Sequence, residues 1–218
     1  EAGHLRYALE EDISFQDYLS PPYVLHTKRE SFSDDYNFGE RLPFNNNQPD
    51  YVRGEGWMSN RFGLGVGSID KEINLSTANK ANGGAPAAQC KTVFASVNNA
   101  NLGLGANNHH LRVFRGPDDA VQISDHLFQG YELFEVDFSI PHTQLTDLTR
   151  INHRVIDDIE VASDQFMVSY VEVTYAHSLD LSDLNQIVFD LGPNTSQPKY
   201  HLDISGLSYP QPIVYARG

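Results

Sequence analysis

From about Ser68 onward, short runs of alternating apolar and polar residues follow one another, separated by turn residues. Successive side chains of an extended strand point to opposite faces, so this period of two marks strands with one face buried. The pattern is clearest over residues 166–175, where Val171, Val173 and Tyr175 alternate with Glu172 and Thr174. Residues 131–140 place Phe134, Val136, Phe138 and Ile140 on one face, and Glu135, Asp137 and Ser139 on the other. Ile69, Ile73 and Leu75, residues 92–98, residues 111–114 and the set Ile151, His153 and Val155 read the same way. A Gly116-Pro117-Asp118-Asp119 turn leads into a further run at 121–124. Later strands are predicted at 187–191, at 200–204 and at 213–215. No helical period is sustained after residue 80. Many short strands at this spacing predict an all-β chain whose main unit is a jelly-roll-like β-sandwich.

The first part of the chain reads differently. Residues 1–80 hold Pro21-Pro22, Asn45-Asn46-Asn47 and several glycines between short apolar runs, with room for one brief helix at 5–11. This composition predicts a smaller loop-rich β region with short hairpins over 1–80, followed by the sandwich domain over 81–218.

Charge and cysteine count narrow the functions. Acidic residues outnumber basic ones 29 to 15, for a formal charge of −14. Such a surface repels phosphate backbones and anionic membranes, so no nucleic-acid partner and no membrane insertion are expected. No apolar run approaches the roughly 20 residues of a membrane helix. Cys90 is the single cysteine, which removes intrachain disulfides and Cys-based zinc sites and fits a cytosolic protein and an exported bacterial protein that does without disulfides equally well. Glu1 is not followed by a basic and then an apolar stretch, so a signal peptide is expected to have been removed or the chain to be a fragment.

The residues offer no self-sufficient active site. There is no G-x-S-x-G elbow, and Cys90 heads a strand-like run in which it reads as a small buried residue. Gly63–Gly67 and Gly103–Gly105 lack the helix or Lys-Ser/Thr that a phosphate loop needs. Asn107-Asn108-His109-His110 is the densest of the histidine clusters. Neighbouring strand residues face opposite ways and cannot easily share a metal, so a solvated hairpin is expected there. His126, His142, His153, His177 and His201 are scattered and read as surface or satisfied polar residues. No catalytic residue, metal ligand or cofactor is assigned. A structural calcium ion, held by backbone carbonyls and scattered carboxylates, stays open, although Asp118-Asp119 and Asp157-Asp158 lack the ligand spacing of an EF-hand. Trp57, Tyr131 and Tyr170 are the aromatic candidates for stacking on a sugar, while most aromatics of a sandwich belong to its core.

Several stretches resemble a known family. Tyr170-Val-Glu-Val-Thr-Tyr-Ala-His-Ser-Leu179 followed by Asn185-Gln-Ile-Val-Phe189 is similar to a signature of PorU-like sortases of the type IX secretion system and gingipain-type (C25) cysteine peptidases. Tyr23-Val-Leu-His-Thr-Lys-Arg-Glu-Ser-Phe32 with Gly54-Glu-Gly-Trp57, and Leu111-Arg-Val-Phe-Arg-Gly116, resemble earlier segments of the same family in the same order. The aspartate that the family's pattern has before Tyr170 is absent. The resemblance implies the β-sandwich that precedes the peptidase domain. The family's catalytic histidine and cysteine lie downstream, and Cys90 matches neither, so no catalytic residue carries over. It further implies an origin in bacteria of the Bacteroidetes type, and a place outside the cell or on the outer-membrane surface.

The expectation is therefore a non-catalytic accessory or interaction region of an exported, sortase- or gingipain-like surface protein. Its partner would be another protein or the adjacent peptidase domain. The alternative is a carbohydrate-binding or cell-adhesion jelly roll with a glycan as ligand.

Overall fold

The computed structural model describes residues 17–42, 46–99, 105–182, 184–191 and 199–208. In chain order the strands are β1 (Val24–Ser31), β2 (Asp35–Phe38), β3 (Arg41–Leu42), β4 (Asn46–Asn47), β5 (Glu55–Met58), β6 (Phe62–Leu64), β7 (Asp70–Ser76), β8 (Ala88–Ser96), β9 (His109–Arg115), β10 (Val121–Phe128), β11 (Leu133–Ile140), β12 (Leu148–Val155), β13 (Asp164–His177) and β14 (Phe189–Asp190). One sheet runs β11-β8-β13-β1-β14, with β6 also paired to β13. The other runs β10-β9-β12-β7. Their strands pair antiparallel, and two small hairpins, β2-β5 and β3-β4, complete the all-β sandwich.

The alternation in the sequence sets the inner faces. Ala88, Cys90 and Phe94 of β8 and Val171, Val173 and Tyr175 of β13 meet Leu111 and Val113 of β9, Ile151 and Val155 of β12, and Ile73 and Leu75 of β7 in one buried core. Phe134, Val136 and Phe138 pack against it from β11, as their period of two predicts. Each fully buried side chain of this size contributes about 1.5–3 kcal/mol of transfer free energy. A second, smaller cluster lies on the opposite face of the larger sheet, where Met58 of β5 covers Ala95, Val97 and Met167.

β13 changes face partway along. Phe166 and Val168 point into the main core at even positions, whereas Val171, Val173 and Tyr175 do so at odd ones. The switch is a bulge at Ser169, where pairing with β8 slips between Val168 and Tyr170. A bulge leaves backbone groups out of the ladder, and neighbours take them up. The Val168 amide donates to Ser59 Oγ (3.1 Å), Ser59 N–H to Val168 O (2.8 Å) and Phe32 N–H to Ser169 O (3.0 Å).

The structure corrects three expectations. The described residues between 17 and 80 do not form a separate unit: β1 pairs with β13 along its whole length, β6 pairs with β13, and β7 is an edge of the four-stranded sheet. Strand pairing therefore crosses the expected boundary at residue 80. The alternation over 200–204 forms no strand. Its neighbour Ser205 makes a single bridge to Asp180 and exchanges backbone bonds with Leu179 and Leu181 (both 2.9 Å), which lays the segment across a loop instead of a sheet edge. The strand expected over 187–191 shortens to β14. The helix at 5–11 and the strand at 213–215 fall outside the described residues.

Gly63 marks the tightest approach between β6 and β13. Its φ is +128°, and an added Cβ would stand 2.0 Å from the Asp164 carbonyl oxygen. Gly63→Ala is expected to lower stability by about 1–3 kcal/mol. Urea unfolding checks this, and an unchanged midpoint would show that β6 can move away from β13 without loss.

Candidate binding site

The three aromatic candidates do not form one platform. Trp57 lies on the β2-β5 hairpin, is 61% exposed, and pairs across the ladder with Tyr36. The two rings meet edge to face at 5.5 Å, and Phe38 adds to Tyr36 at 5.2 Å. The Tyr36 hydroxyl donates to Glu55 Oε1 (2.6 Å), and this bond to a carboxylate raises its pKa. The Tyr51 hydroxyl donates to the Glu55 carbonyl (3.0 Å), while its ring is largely exposed. Tyr170 sits elsewhere, on the outer face of the larger sheet. The Arg29 guanidinium covers its ring at 3.7 Å and pairs with Glu172 at 3.1 Å. Tyr131 is half-buried in the turn before β11, and burial pushes its phenol up. Only Trp57, with Tyr36 and Phe38, offers an accessible aromatic surface among these candidates.

The His109-His110 pair is the clearest departure from the sequence reading. It is not a solvated hairpin: both residues open β9 and both are buried. His109 faces inward, stacked on Phe128 (4.8 Å) and edge-on to Phe166 (5.4 Å). Its Nδ1 meets Asp164 Oδ1 at 2.6 Å, and its Nε2 donates to the Asn98 carbonyl at 2.7 Å. Asp164 Oδ2 accepts the His110 amide (3.0 Å). His110 turns the other way, as adjacent strand residues must. Its Nδ1 contacts Asp158 and its Nε2 contacts Asp125, each at 2.7 Å. Burial by itself would raise the Asp125 carboxyl, but bonds from Arg112 and His110 outweigh it and hold the group below the usual carboxylate range.

One carboxylate of each acidic pair is likewise engaged by side chains of the chain itself. Asp119 accepts from Arg150 (2.7 Å), Arg154 (2.8 Å) and Asn152, and these bonds hold it at a φ of +56° that few side chains adopt. Asp158 serves His110. Among the described residues, no group of three or more His, Cys, Asp or Glu side chains is placed to hold a metal ion. Cys90 is buried, and burial pushes its thiol up to about 12, against the opposing charge of Arg115. At neutral pH the thiol therefore keeps its proton.

The sequence reading missed a cleft of about 600 Å³ beside the four-stranded sheet. Two tight turns, Pro117–Asp119 and His142–Gln144, lie at its walls. Val121, Leu145 and Leu148 supply apolar surface, and Glu72, Arg115, Gln144 and Arg150 supply polar groups. The motif Gly116-Pro117-Asp118-Asp119 signalled one of these turns. Nothing in local sequence joined it to the other.

Fold and surface together define a β-sandwich module with an exposed aromatic hairpin and an open cleft. No protein-family model matches the chain, and no curated protein matches it in sequence. Among solved structures, the dimeric latent PorU from Porphyromonas gingivalis is similar with a TM-score of 0.51 at 9% identity, over 74% of this chain and 13% of that one. A carbohydrate-binding module, CBM36 in complex with calcium and xylotriose, gives a TM-score of 0.33 at 10% identity, over 67% of this chain and 98% of that one. The likeness to PorU is one of fold, and the chain corresponds to 13% of the PorU chain's length.

Proposed function

We propose that the chain is a non-catalytic interaction module of a longer, exported bacterial surface protein, and that it contacts a protein partner through the aromatic face of the β2-β5 hairpin. The observation that carries this reading is Trp57, 61% exposed on a hairpin anchored to the sandwich. Met58, the next residue, is buried against Ala95 and Met167, and Arg53 donates to the Leu133 carbonyl (3.1 Å). The hairpin is thus held firmly while its tryptophan faces water. A large aromatic side chain on a rigid mount is the usual anchor of a protein interface, since it buries much area for little lost freedom. The fold likeness to part of PorU supports a place within a multidomain exported protein.

The same face favours a glycan as the second reading, because an exposed indole also stacks on a sugar ring. One experiment separates the two. A photo-cross-linking amino acid placed at position 57 of the parent protein is irradiated on living cells. A cross-link to a protein, or to another domain of the parent, supports the interaction module. A cross-link to polysaccharide supports the glycan reading. Peptide or glycoside hydrolysis by the 218-residue chain itself would overturn both. Trp57→Ala is expected to weaken partner binding by about 2 kcal/mol and to leave the melting temperature unchanged.

A further inference from the structure

The cleft between the turns Pro117–Asp119 and His142–Gln144 lacks the excess of acidic groups that the chain as a whole carries. The chain carries −14 overall, yet the ionisable residues lining the cleft are Arg115, Arg150 and Glu72. Arg150 is neutralised where it stands, by Glu72 at 2.8 Å and Asp119 at 2.7 Å. Arg115 has no carboxylate within ion-pair distance among the described residues. Its Nη2 donates to the Gln144 amide oxygen (2.7 Å), which fixes the guanidinium across the cleft without cancelling its charge. In so acidic a protein, an arginine held in a cavity by a neutral partner leaves room for an anion. The planar fork of a guanidinium fits a carboxylate through two parallel bonds.

The remaining lining specifies what the anion is attached to. Pro117, Val121, Ile140, Leu145 and Leu148 make apolar walls, and Val121 and Leu148 are 37% and 54% exposed. Among the described residues no aromatic side chain lines the cleft, so these walls give no stacking platform for a pyranose. Both walls are fixed before any ligand arrives. On one side Thr77 Oγ1 donates to the Thr146 carbonyl (2.6 Å), His142 Nε2 donates to the Ala81 carbonyl (2.8 Å) and Lys80 Nζ donates to the Leu145 carbonyl. On the other, Arg150 Nη1 donates to the Gly116 carbonyl (2.8 Å), and Gly116 N–H donates to the Arg150 carbonyl (3.1 Å). A cleft with fixed walls binds without a large ordering penalty.

We propose that this cleft binds a carboxylate that adjoins an apolar group, with Arg115 as the anchor and Val121 and Leu148 as the apolar contacts. The chemistry is shared by a peptide ending in a hydrophobic residue and by a free short-chain carboxylic acid. The proposal stands on the cleft alone and does not use the aromatic hairpin, so either can fail while the other holds.

The test uses the isotopically labelled 218-residue chain, titrated with acetyl-Ala-Val-Leu bearing a free C-terminus, with the same peptide amidated, and with hexanoate. Chemical shifts are followed at the Arg115, Gln144, Val121 and Leu148 signals. The free-acid peptide, hexanoate or both should shift these four signals, and which of them does so identifies the source. Amidation, and separately Arg115→Gln, should each weaken peptide binding by at least about tenfold. Leu148→Glu, at a position open to water, should weaken it similarly by placing a carboxylate at the mouth, while melting as the parent does. Equal binding of acid and amide, retained affinity in Arg115→Gln, shifts confined to residues outside the cleft, or no shift up to about 10 mM of either acid would overturn the proposal.

Discussion

Asp164→Ala is expected to destabilise the protein by about 3–5 kcal/mol, the usual consequence of removing one partner from a buried ionisable pair. Asp164 and His109 are both fully buried, with 0% side-chain exposure. The carboxyl group makes two bonds, from Oδ1 to His109 Nδ1 and from Oδ2, which accepts the His110 amide. Removing it leaves a ring nitrogen and a backbone N–H facing a cavity, and both lose their partners at once. Phe128 and Phe166 enclose the imidazole, so water cannot easily replace the lost oxygens. Domains of this size are stable by only about 5–15 kcal/mol, so the variant loses a large part of its margin. Asp164→Asn keeps one acceptor and should fall between the two. The combined change His109→Leu with Asp164→Leu should lie closer to the parent than Asp164→Ala does, because it removes both unpaired groups. Urea unfolding of the four proteins measures the effect. A loss under about 1 kcal/mol in Asp164→Ala would show that the pair does not hold β9 to β13.

That pair also shows where sequence reading reached and where it stopped. The period of two located the long strands and set the faces of β11, β12 and the second half of β13, because a half-buried strand writes its burial into neighbouring positions. The histidines of β9 carried no such mark. His109 is buried because Asp164, far away in the chain, supplies the acceptor that makes burial tolerable. A polar residue next to two asparagines reads locally as solvated. The bulge at Ser169 was hidden for a related reason: Val168 and Val171 both face the core, and strict alternation allows only one of them to do so. The boundary at residue 80 followed a real shift toward loop-rich composition. It failed because β1 and β7 find their partners in β13 and β12, and pairing across such separations leaves no local trace. The cleft was invisible for the same cause, since Arg115 and Gln144 meet only when two turns come together.

Acidification should weaken the protein well before its surface carboxylates are all protonated, and His153 supplies a large part of that sensitivity. The ring is fully buried between the sheets, edge-on to Phe62 and Phe94, and its Nε2 bonds to Thr92 Oγ1 (2.8 Å). Burial lowers its pKa from 6.5 to about 3, and the nearby charges of Lys71 and His126 push the same way. The sign follows from comparing the two states. Above pH 6.5 the ring is neutral whether the chain is folded or unfolded, and the full stability is present. Between 6.5 and about 3 the unfolded chain takes up a proton that the folded one refuses, so stability falls as pH falls. The loss is about 1.4 kcal/mol per pH unit at most, or on the order of 5 kcal/mol across the window. His126, also lowered by burial beside Phe94 and Phe134, adds to the loss in the same direction. The measurement is urea unfolding at half-unit steps from pH 7.5 to 4.5 on the parent and on the double variant Thr92→Val, His153→Phe. That variant removes the hydroxyl together with the ring it serves, so neither is left unpaired. Its stability should fall less steeply below pH 6.5 than the parent's, by about 1 kcal/mol per unit. Parallel curves would mean that the ring gains its proton inside the folded sandwich, and that the space between Thr92, Phe94 and Phe62 admits water.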